Sequence, residues 1–310
     1  MSEFAAADLD RFAVVPSGVT ICFRDAGSKA DPVILLIAGL GEDLTFWTEP
    51  VVDSLVAHGF RVVSVDNRDV GRSTYMTTPA PAVWRQVMAR PRRDGYTLAD
   101  MAQDSVGVLD HLGIERVHVV GRSLGGMIAQ TIAATEPDRV LSLTSIYSTT
   151  GSRKVGQPAA STIRLLMGPD ARNRTEAVRA HLRITRHIAG KEYPIDDAAE
   201  AAIAARGWDR SAGDLAAGSA RQIQAIQLAG DRTPELARIT APTLVINGDR
   251  DLMVAQNGGE ATVSAIRKAQ HVVIPGMGHH MPQALVDPIT HYIFQHAERV
   301  GTGGSHVQIS

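Results

Sequence analysis

The stretch Gly121-Arg122-Ser123-Leu124-Gly125-Gly126 constrains this chain more than any other part of it. A strand-like apolar run, Arg116 to Val120, leads into it, and a helix-like run, Met127 to Thr135, leads out. The pattern G-x-S-x-G between a strand and a helix holds a serine on a sharp turn. A serine hydroxyl is a weak nucleophile until a base can reach it, and such a turn lifts it to where one can. Crowding in the turn accounts for the small residues at positions 121 and 125. A dinucleotide-binding turn also joins strand to helix through glycines, but its middle glycine would fall at position 123, which is Ser123. No glycine-rich turn ends in Gly-Lys-Ser or Gly-Lys-Thr, which excludes a P-loop. The plainest alternative, a tight turn with an incidental serine, weakens as the rest of the chain is read.

Strand-length apolar runs alternate with helix-length amphipathic stretches. The strand candidates are Phe12 to Val15, Val19 to Arg24, Val33 to Ala38, Arg61 to Asp66, Arg116 to Val120, Val140 to Ile146, Thr243 to Asn247 and His271 to Ile274. The helix candidates include Thr48 to His58, Leu98 to Leu112, Ser123 to Thr135, Gly259 to Ala269 and Gln283 to Arg299. This alternation predicts an α/β fold, a mostly parallel sheet with helices on both faces. The later Val/Ile/Leu runs read as parallel strands buried on both sides, and the two runs flanking Ser17-Gly18 as an antiparallel hairpin at the sheet edge. Between about Thr150 and Leu236 no strong strand occurs, and the strand pattern returns at Ala241-Pro242-Thr243. The chain therefore divides into an α/β core over 1–149 and 237–300, a helical insertion over 150–236 that reads as a lid above the strand ends, and a glycine-rich polar tail over 301–310 that reads as disordered. The arginines of the insertion read as solvated helix faces.

A net charge of −2 and a pI near 6.6 argue against a nucleic-acid partner. The acidic, alanine-rich start lacks the basic and apolar regions of a signal peptide. The longest apolar run, Val33 to Leu40, is too short to span a bilayer. The single cysteine, Cys22, reads as an inert buried residue. Cytoplasmic location, no membrane association and a small-molecule partner follow as expectations. No H-E-x-x-H or Cys/His cluster suggests a metal, and no cofactor is expected. Nothing in the chain assigns an oligomeric state.

A serine nucleophile needs a base, and the base needs an orienting carboxylate. Gly248-Asp249-Arg250-Asp251 follows one strand candidate and Gly276-Met277-Gly278-His279 follows the next. Both lie past strand C-termini, where open α/β sheets form ligand sites. The order Ser123, Asp251, His279 is the one expected of α/β-hydrolases. Asp251 is preferred to Asp249, which can close the turn through backbone amides. His279 is preferred to His280 because it directly follows the Gly-x-Gly turn. His181 and His187, six residues apart, fall on different helix faces, and the other histidines read as structural. Two N–H donors must stabilise a tetrahedral intermediate. Leu124, just after the serine, supplies one. Leu40, in the glycine-flanked loop Ala38-Gly39-Leu40-Gly41, supplies the other. Phe46 and Trp47 are candidates either for a pocket wall or for core packing. Leu165, Leu166 and Met167, in the insertion, are candidates for lining the pocket or for packing within the lid.

Together these residues resemble the α/β-hydrolase superfamily over nearly the whole chain, roughly Val19 to Ala297. Asp66-Asn67-Arg68-Asp69-Val70-Gly71-Arg72-Ser73 is similar to the family's structural D-x-R-x-x-G-x-S loop after the fourth strand. The chain departs from the pattern at two places. The oxyanion loop usually begins His-Gly and here is Ala38-Gly39, which alters loop support and not the donor. Arg122 in the elbow is also uncommon, and the sequence offers no account of it. Ile274-Pro275-Gly276-Met277-Gly278-His279 and the Asp66 to Ser73 loop look most like the aclacinomycin methylesterase group, whose members hydrolyse a methyl ester on an aromatic polyketide. The resemblance implies a serine hydrolase acting on a carboxylic ester. A serine at the elbow disfavours the haloalkane dehalogenases and epoxide hydrolases, which use an aspartate there. Lactonase, carbon–carbon bond hydrolase and cofactor-free haloperoxidase chemistry fit the same three residues, and a non-catalytic ligand receptor on this scaffold is the remote alternative.

Overall fold

The computed structural model describes residues 9–301. The expected disordered tail lies outside the described residues, except for Gly301, which closes the last helix.

Eight strands form one sheet: β1 (Arg11–Val14), β2 (Thr20–Ala26), β3 (Val33–Ile37), β4 (Arg61–Val65), β5 (Val117–Arg122), β6 (Val140–Ile146), β7 (Thr243–Gly248) and β8 (Gln270–Ile274). Their spatial order is β1-β2-β4-β3-β5-β6-β7-β8. β1 and β2 form the expected antiparallel hairpin, β2 meets β4 antiparallel, and every other pairing is parallel. The chain leaves β3 toward β4 on one side and leaves β5 toward β6 on the other. β3 and β5 are direct neighbours, with Ile37 opposite Gly121. Their diverging connections open a crevice at the strand C-termini, the place where open α/β sheets take ligands.

Alternation along the strands feeds two cores, as the two-residue period of a strand requires. Leu35, Ile37, Val117 and Val119 point to one face and pack with α3 (Leu98–His111) and α4 (Leu124–Thr135). Ile34, Leu36 and Val120 point to the other, against α1 (Glu49–Ala57) and α11 (Gln283–Gly301). A short helix α2 (Val83–Val87) lies between β4 and α3, and α10 (Asn257–Ala265) between β7 and β8. Local signals mark the helix starts. Thr97 and Asp100 form a reciprocal capping box on α3, and Pro50 sits in the first turn of α1.

One strand departs from expectation. β8 is a parallel strand but not a buried one, because it forms the far edge of the sheet and leaves Val273 36% exposed.

Between β6 and β7 the alternation gives way to α5 (Ala160–Leu166), α6 (Arg174–Ile188), α7 (Asp197–Arg210), α8 (Leu215–Ala229) and α9 (Thr233–Leu236). Asn173, Asp196 and Asp214 cap α6, α7 and α8 by accepting first-turn amides. Arg174 and Arg186 lie on solvated faces, paired with Asp209 and Asp197. Arg210, Arg221 and Arg232 do not. Arg210 is buried against Asp43, Asp66 and Asp10. Arg221 makes a two-pronged pair with Asp69, with bonds of 2.8 and 2.7 Å. Arg232 donates to Gln130 (2.6 Å) and to the carbonyls of Met127 (3.1 Å) and Thr149 (2.8 Å). The reason is long-range: the acceptors lie in the core, and the loop from Asp66 to Ser73 presents two of the carboxylates. Among the described residues no helix is long and apolar enough to cross a membrane.

Candidate active site

β5 passes into α4 through Ser123, whose backbone sits at φ 53° and ψ −120°. A non-glycine residue is strained there, and its surroundings hold it. The Ser123 N–H donates to the Ile146 carbonyl (2.9 Å), and the Ser148 hydroxyl donates to the Ser123 carbonyl (2.8 Å). The turn is as crowded as its small residues imply. A Cβ on Gly121 would lie 2.1 Å from the Gly125 carbonyl oxygen, and one on Gly125 would lie 2.1 Å from that of Ile37.

His279 follows β8 and the turn Gly276-Met277-Gly278. Its Nε2 lies 3.0 Å from Ser123 Oγ and its Nδ1 lies 2.7 Å from Asp251 Oδ2. A carboxylate only accepts, so Nδ1 carries the ring proton and Nε2 is left to accept from the serine hydroxyl. The other oxygen of Asp251 accepts the amides of Met253 and Val254, each at 2.7 Å. This fixes the carboxylate in place. Asp249 turns away, its Oδ1 accepting the Gly276 amide at 2.7 Å, so it closes the loop below His279. The loop is also tied to the insertion. Gly278 N–H donates to the Ala189 carbonyl (3.0 Å) and His279 N–H to the Ile188 carbonyl (2.7 Å), at the C-terminal end of α6. Tyr147, fully buried just past β6, lays its ring against the imidazole with centroids 4.5 Å apart.

Leu124 directly follows Ser123, and Leu40 lies in the loop after β3, which comes close to the serine: a Cβ on Gly39 would lie 3.4 Å from Ser123 Cβ. Leu124 is the first residue of α4, so its N–H is one of those a helix leaves without an intrahelical acceptor. In the loop after β3, Gly39 N–H donates to Glu42 Oε2 (2.8 Å) and Gly41 N–H donates to Gln222 Oε1 of α8 (2.9 Å). The Leu40 N–H between them has no acceptor among the described residues. Glu42 is also gripped by Arg122. Nε donates to Oε2 at 2.7 Å, Nη2 pairs with Oε1, and Nη1 donates to the Phe46 carbonyl at 3.2 Å. The buried guanidinium lies 5.7 and 5.6 Å from the ring centroids of Phe46 and Trp47. Glu42, Gln222 and Tyr147 escape a reading of the sequence, since nothing in their local pattern distinguishes them.

The expected pocket residues separate. Trp47 is core, 2% exposed and packed with Val51 and Leu55. Phe46 is half-buried and faces the insertion, its ring edge-on to His181. It lines a cavity of about 110 Å³ together with Gly41, Val70, His181, Ala204 and Trp208. Met167 and Leu166 point to solvent, at 60% and 55% exposure, and Leu165 is half-buried. None of the three lines this cavity, because α5 is too short and too shallowly seated to bury a full face. A larger concavity of about 300 Å³ on the outer side of α6 is lined by Arg172, Glu176, Arg179 and Arg183. Neither hollow is lined by Ser123, Asp251 or His279, but the smaller one reaches the loop after β3 through Gly41.

His280 is directed at Glu200 of α7. Its Nε2 stands 3.0 Å from Glu200 Oε1, within ion-pair reach but off the line of a directional hydrogen bond. His181 Nε2 lies 2.7 Å from the other oxygen of Glu200. Burial works to raise the Glu200 pKa, but the two histidines overcome it and hold the carboxyl at about 2.

Residues 32–282 match the family model described as the α/β hydrolase fold. A rhodomycin D methylesterase of Streptomyces sp. (strain C5) is 28% identical over 90% of this chain and 95% of its own length. A 2-hydroxy-6-oxononadienedioate/2-hydroxy-6-oxononatrienedioate hydrolase of Cupriavidus pinatubonensis is 30% identical over 88% of this chain and 90% of its own. Among solved structures, the enol-lactonase of Burkholderia xenovorans LB400 superposes with a TM-score of 0.71 at 25% identity, covering 93% of this chain and 100% of that one.

Proposed function

The chain belongs to the α/β-hydrolase family, and from that premise we propose that it is a serine hydrolase cleaving a carboxylic ester through an acyl-enzyme. The observation that carries this reading is the continuous line from Ser123 Oγ through His279 to Asp251, with bonds of 3.0 and 2.7 Å. Ser123 attacks the ester carbonyl while His279 Nε2 takes the hydroxyl proton. Asp251 keeps the other ring nitrogen protonated and stabilises the imidazolium. The amides of Leu40 and Leu124 receive the negative charge on the former carbonyl oxygen. The imidazolium then returns its proton to the departing alkoxide, leaving an acyl-serine. Water, deprotonated by the same nitrogen, releases the acid and regenerates Ser123.

The insertion over 150–236 serves as the lid and selects the substrate. Phe46 and the residues of α6 and α7 form one wall of the acyl or alcohol site. The first substrate class to test is the methyl ester of a polycyclic aromatic, on the strength of the rhodomycin D methylesterase relative. A second reading has its own support. The relative named for 2-hydroxy-6-oxononadienedioate hydrolysis suggests carbon–carbon bond cleavage on the same three residues. Steady-state turnover of p-nitrophenyl acetate, an aromatic methyl ester and a vinylogous 1,5-diketone separates the two. Ester turnover that vanishes in Ser123→Ala supports the first reading. Efficient turnover of the diketone alone replaces it with the second.

A further inference from the structure

The usual histidine at the head of the oxyanion loop is absent here, and an ion pair occupies the ground beside it. We infer that Glu42, locked by Arg122, is a positioning residue that sets the oxyanion donor. Its carboxylate engages the Gly39 amide and so leaves the Leu40 N–H as the loop's contribution to the site. This rests on the serine-hydrolase reading above.

Three consecutive amides carry the inference. Those of Gly39 and Gly41 are each held by a side chain, at 2.8 and 2.9 Å, from opposite directions. With its two neighbours fixed, the peptide of Leu40 has little freedom to rotate. The fit on the Gly39 side is close. A Cβ there would lie 2.7 Å from Glu42 Oε2 and 3.4 Å from Ser123 Cβ, so the carboxylate, the loop and the serine share one packed volume. Glu42 is not available for proton transfer, because both its oxygens are engaged by Arg122 and one also accepts the Gly39 amide. Although burial works against it, Arg122 holds the Glu42 carboxyl below the usual glutamate range, and the group stays charged.

Arg122 directly precedes Ser123 in the chain. The ion pair therefore connects the backbone that carries the nucleophile to the loop that carries the oxyanion donor. The rings of Phe46 and Trp47 and the Phe46 carbonyl fix the guanidinium from behind. A bidentate guanidinium–carboxylate pair defines direction as well as distance. That suits a device whose task is to orient one amide.

The test uses the full chain with Glu42→Gln and Arg122→Lys. Sites are counted by stoichiometric labelling with a fluorophosphonate, and folding is followed by thermal melting. For Glu42→Gln, kcat on p-nitrophenyl acetate is expected to fall by about 10- to 100-fold with KM within about twofold. An error of order 1 Å in a catalytic group costs about that much. Inhibition by an arylboronic acid, which forms a tetrahedral serine adduct, should weaken by the same factor as kcat/KM. Arg122→Lys keeps the charge but loses the two-pronged grip, and should show a smaller loss in the same two quantities. A folded variant with wild-type kcat, or one whose kcat falls while boronate affinity is retained, overturns the inference. If Glu42→Gln does not fold, Arg122→Lys decides the matter by the same two measures. A wild-type chain that neither labels with the fluorophosphonate nor binds the boronate sinks the serine-hydrolase reading itself, and this inference falls with it.

Discussion

His279 Nε2 stands 3.0 Å from Ser123 Oγ, although the two residues lie 156 positions apart in the chain. The sheet makes that meeting possible, since β5 and β8 end at the same edge and each hands its last residues to a glycine-bearing turn. Replacing Ser123 by alanine should leave the melting temperature near that of the wild type and abolish labelling by a fluorophosphonate. Stoichiometric labelling of the variant, read by intact mass, would move the nucleophile elsewhere.

Asp251 and Asp249 should respond very differently to amidation. Asp251→Asn replaces an acceptor facing His279 Nδ1 by a group that can favour the wrong tautomer, and kcat should fall by about 10⁴-fold. Asp249→Asn can still accept the Gly276 amide through its carbonyl oxygen, so activity should stay within about tenfold. Equal losses in the two variants would show that the orienting carboxylate has been misassigned.

Burial holds His118 neutral, with its pKa depressed to about 4, while its ring makes a 2.8 Å contact with the Ser142 hydroxyl. The unfolded chain takes up this proton near the ordinary value of about 6.5. Between those limits the unfolded state binds more protons, so stability falls as pH drops from about 6.5 toward 4, by at most about 3 kcal/mol. His118→Asn should flatten that limb of the curve. Urea melts at pH 7 and pH 4.5 provide the comparison, and an unchanged pH dependence would assign the acid sensitivity to other groups.

Arg221→Met leaves the Asp69 carboxylate buried without its partner. Removing one member of a buried pair costs about 3–5 kcal/mol, and the loss should appear as a lower urea midpoint. The double variant Arg221→Met/Asp69→Asn should recover part of it. A single variant as stable as the wild type would mean that water or another cation compensates.

Ala204 lines the cavity beside Phe46. Ala204→Phe should lower kcat/KM for bulky aromatic esters by more than tenfold while turnover of a small acetate ester stays within about threefold. Uniform loss across both esters would indicate distortion of the site rather than exclusion from it.

The parts of this molecule that can be read from its chain are those whose cause is local. β3 through β7 announce themselves as short branched-aliphatic runs, and the start of α3 is written in Thr97 and Asp100. Ser123, Asp251 and His279 are legible because each follows a strand and a glycine-marked turn. The support of the loop after β3 is not, because Glu42 resembles any surface glutamate and its partner lies 80 positions away. Leu165, Leu166 and Met167 do not line the cavity beside Phe46 for a related reason. An apolar run says that a face wants burial, but whether α5 finds a neighbour depends on the rest of the insertion. The buried Arg210 and Arg221 could not be recognised from the helices that carry them, since their carboxylates belong to segments far earlier in the chain.

The two amides that tie the loop of His279 to the end of α6 limit how the enzyme can breathe. Any opening that lifted that end of the insertion would release Gly278 and His279 together, slacken the imidazole and expose both amides to exchange with solvent. On the proposal that the insertion is a lid, substrate is expected to enter where the insertion can part from the core without disturbing α6. Slow deuterium uptake at Gly278 and His279, beside faster uptake in α5, would mark α6 as the hinge and α5 as the door.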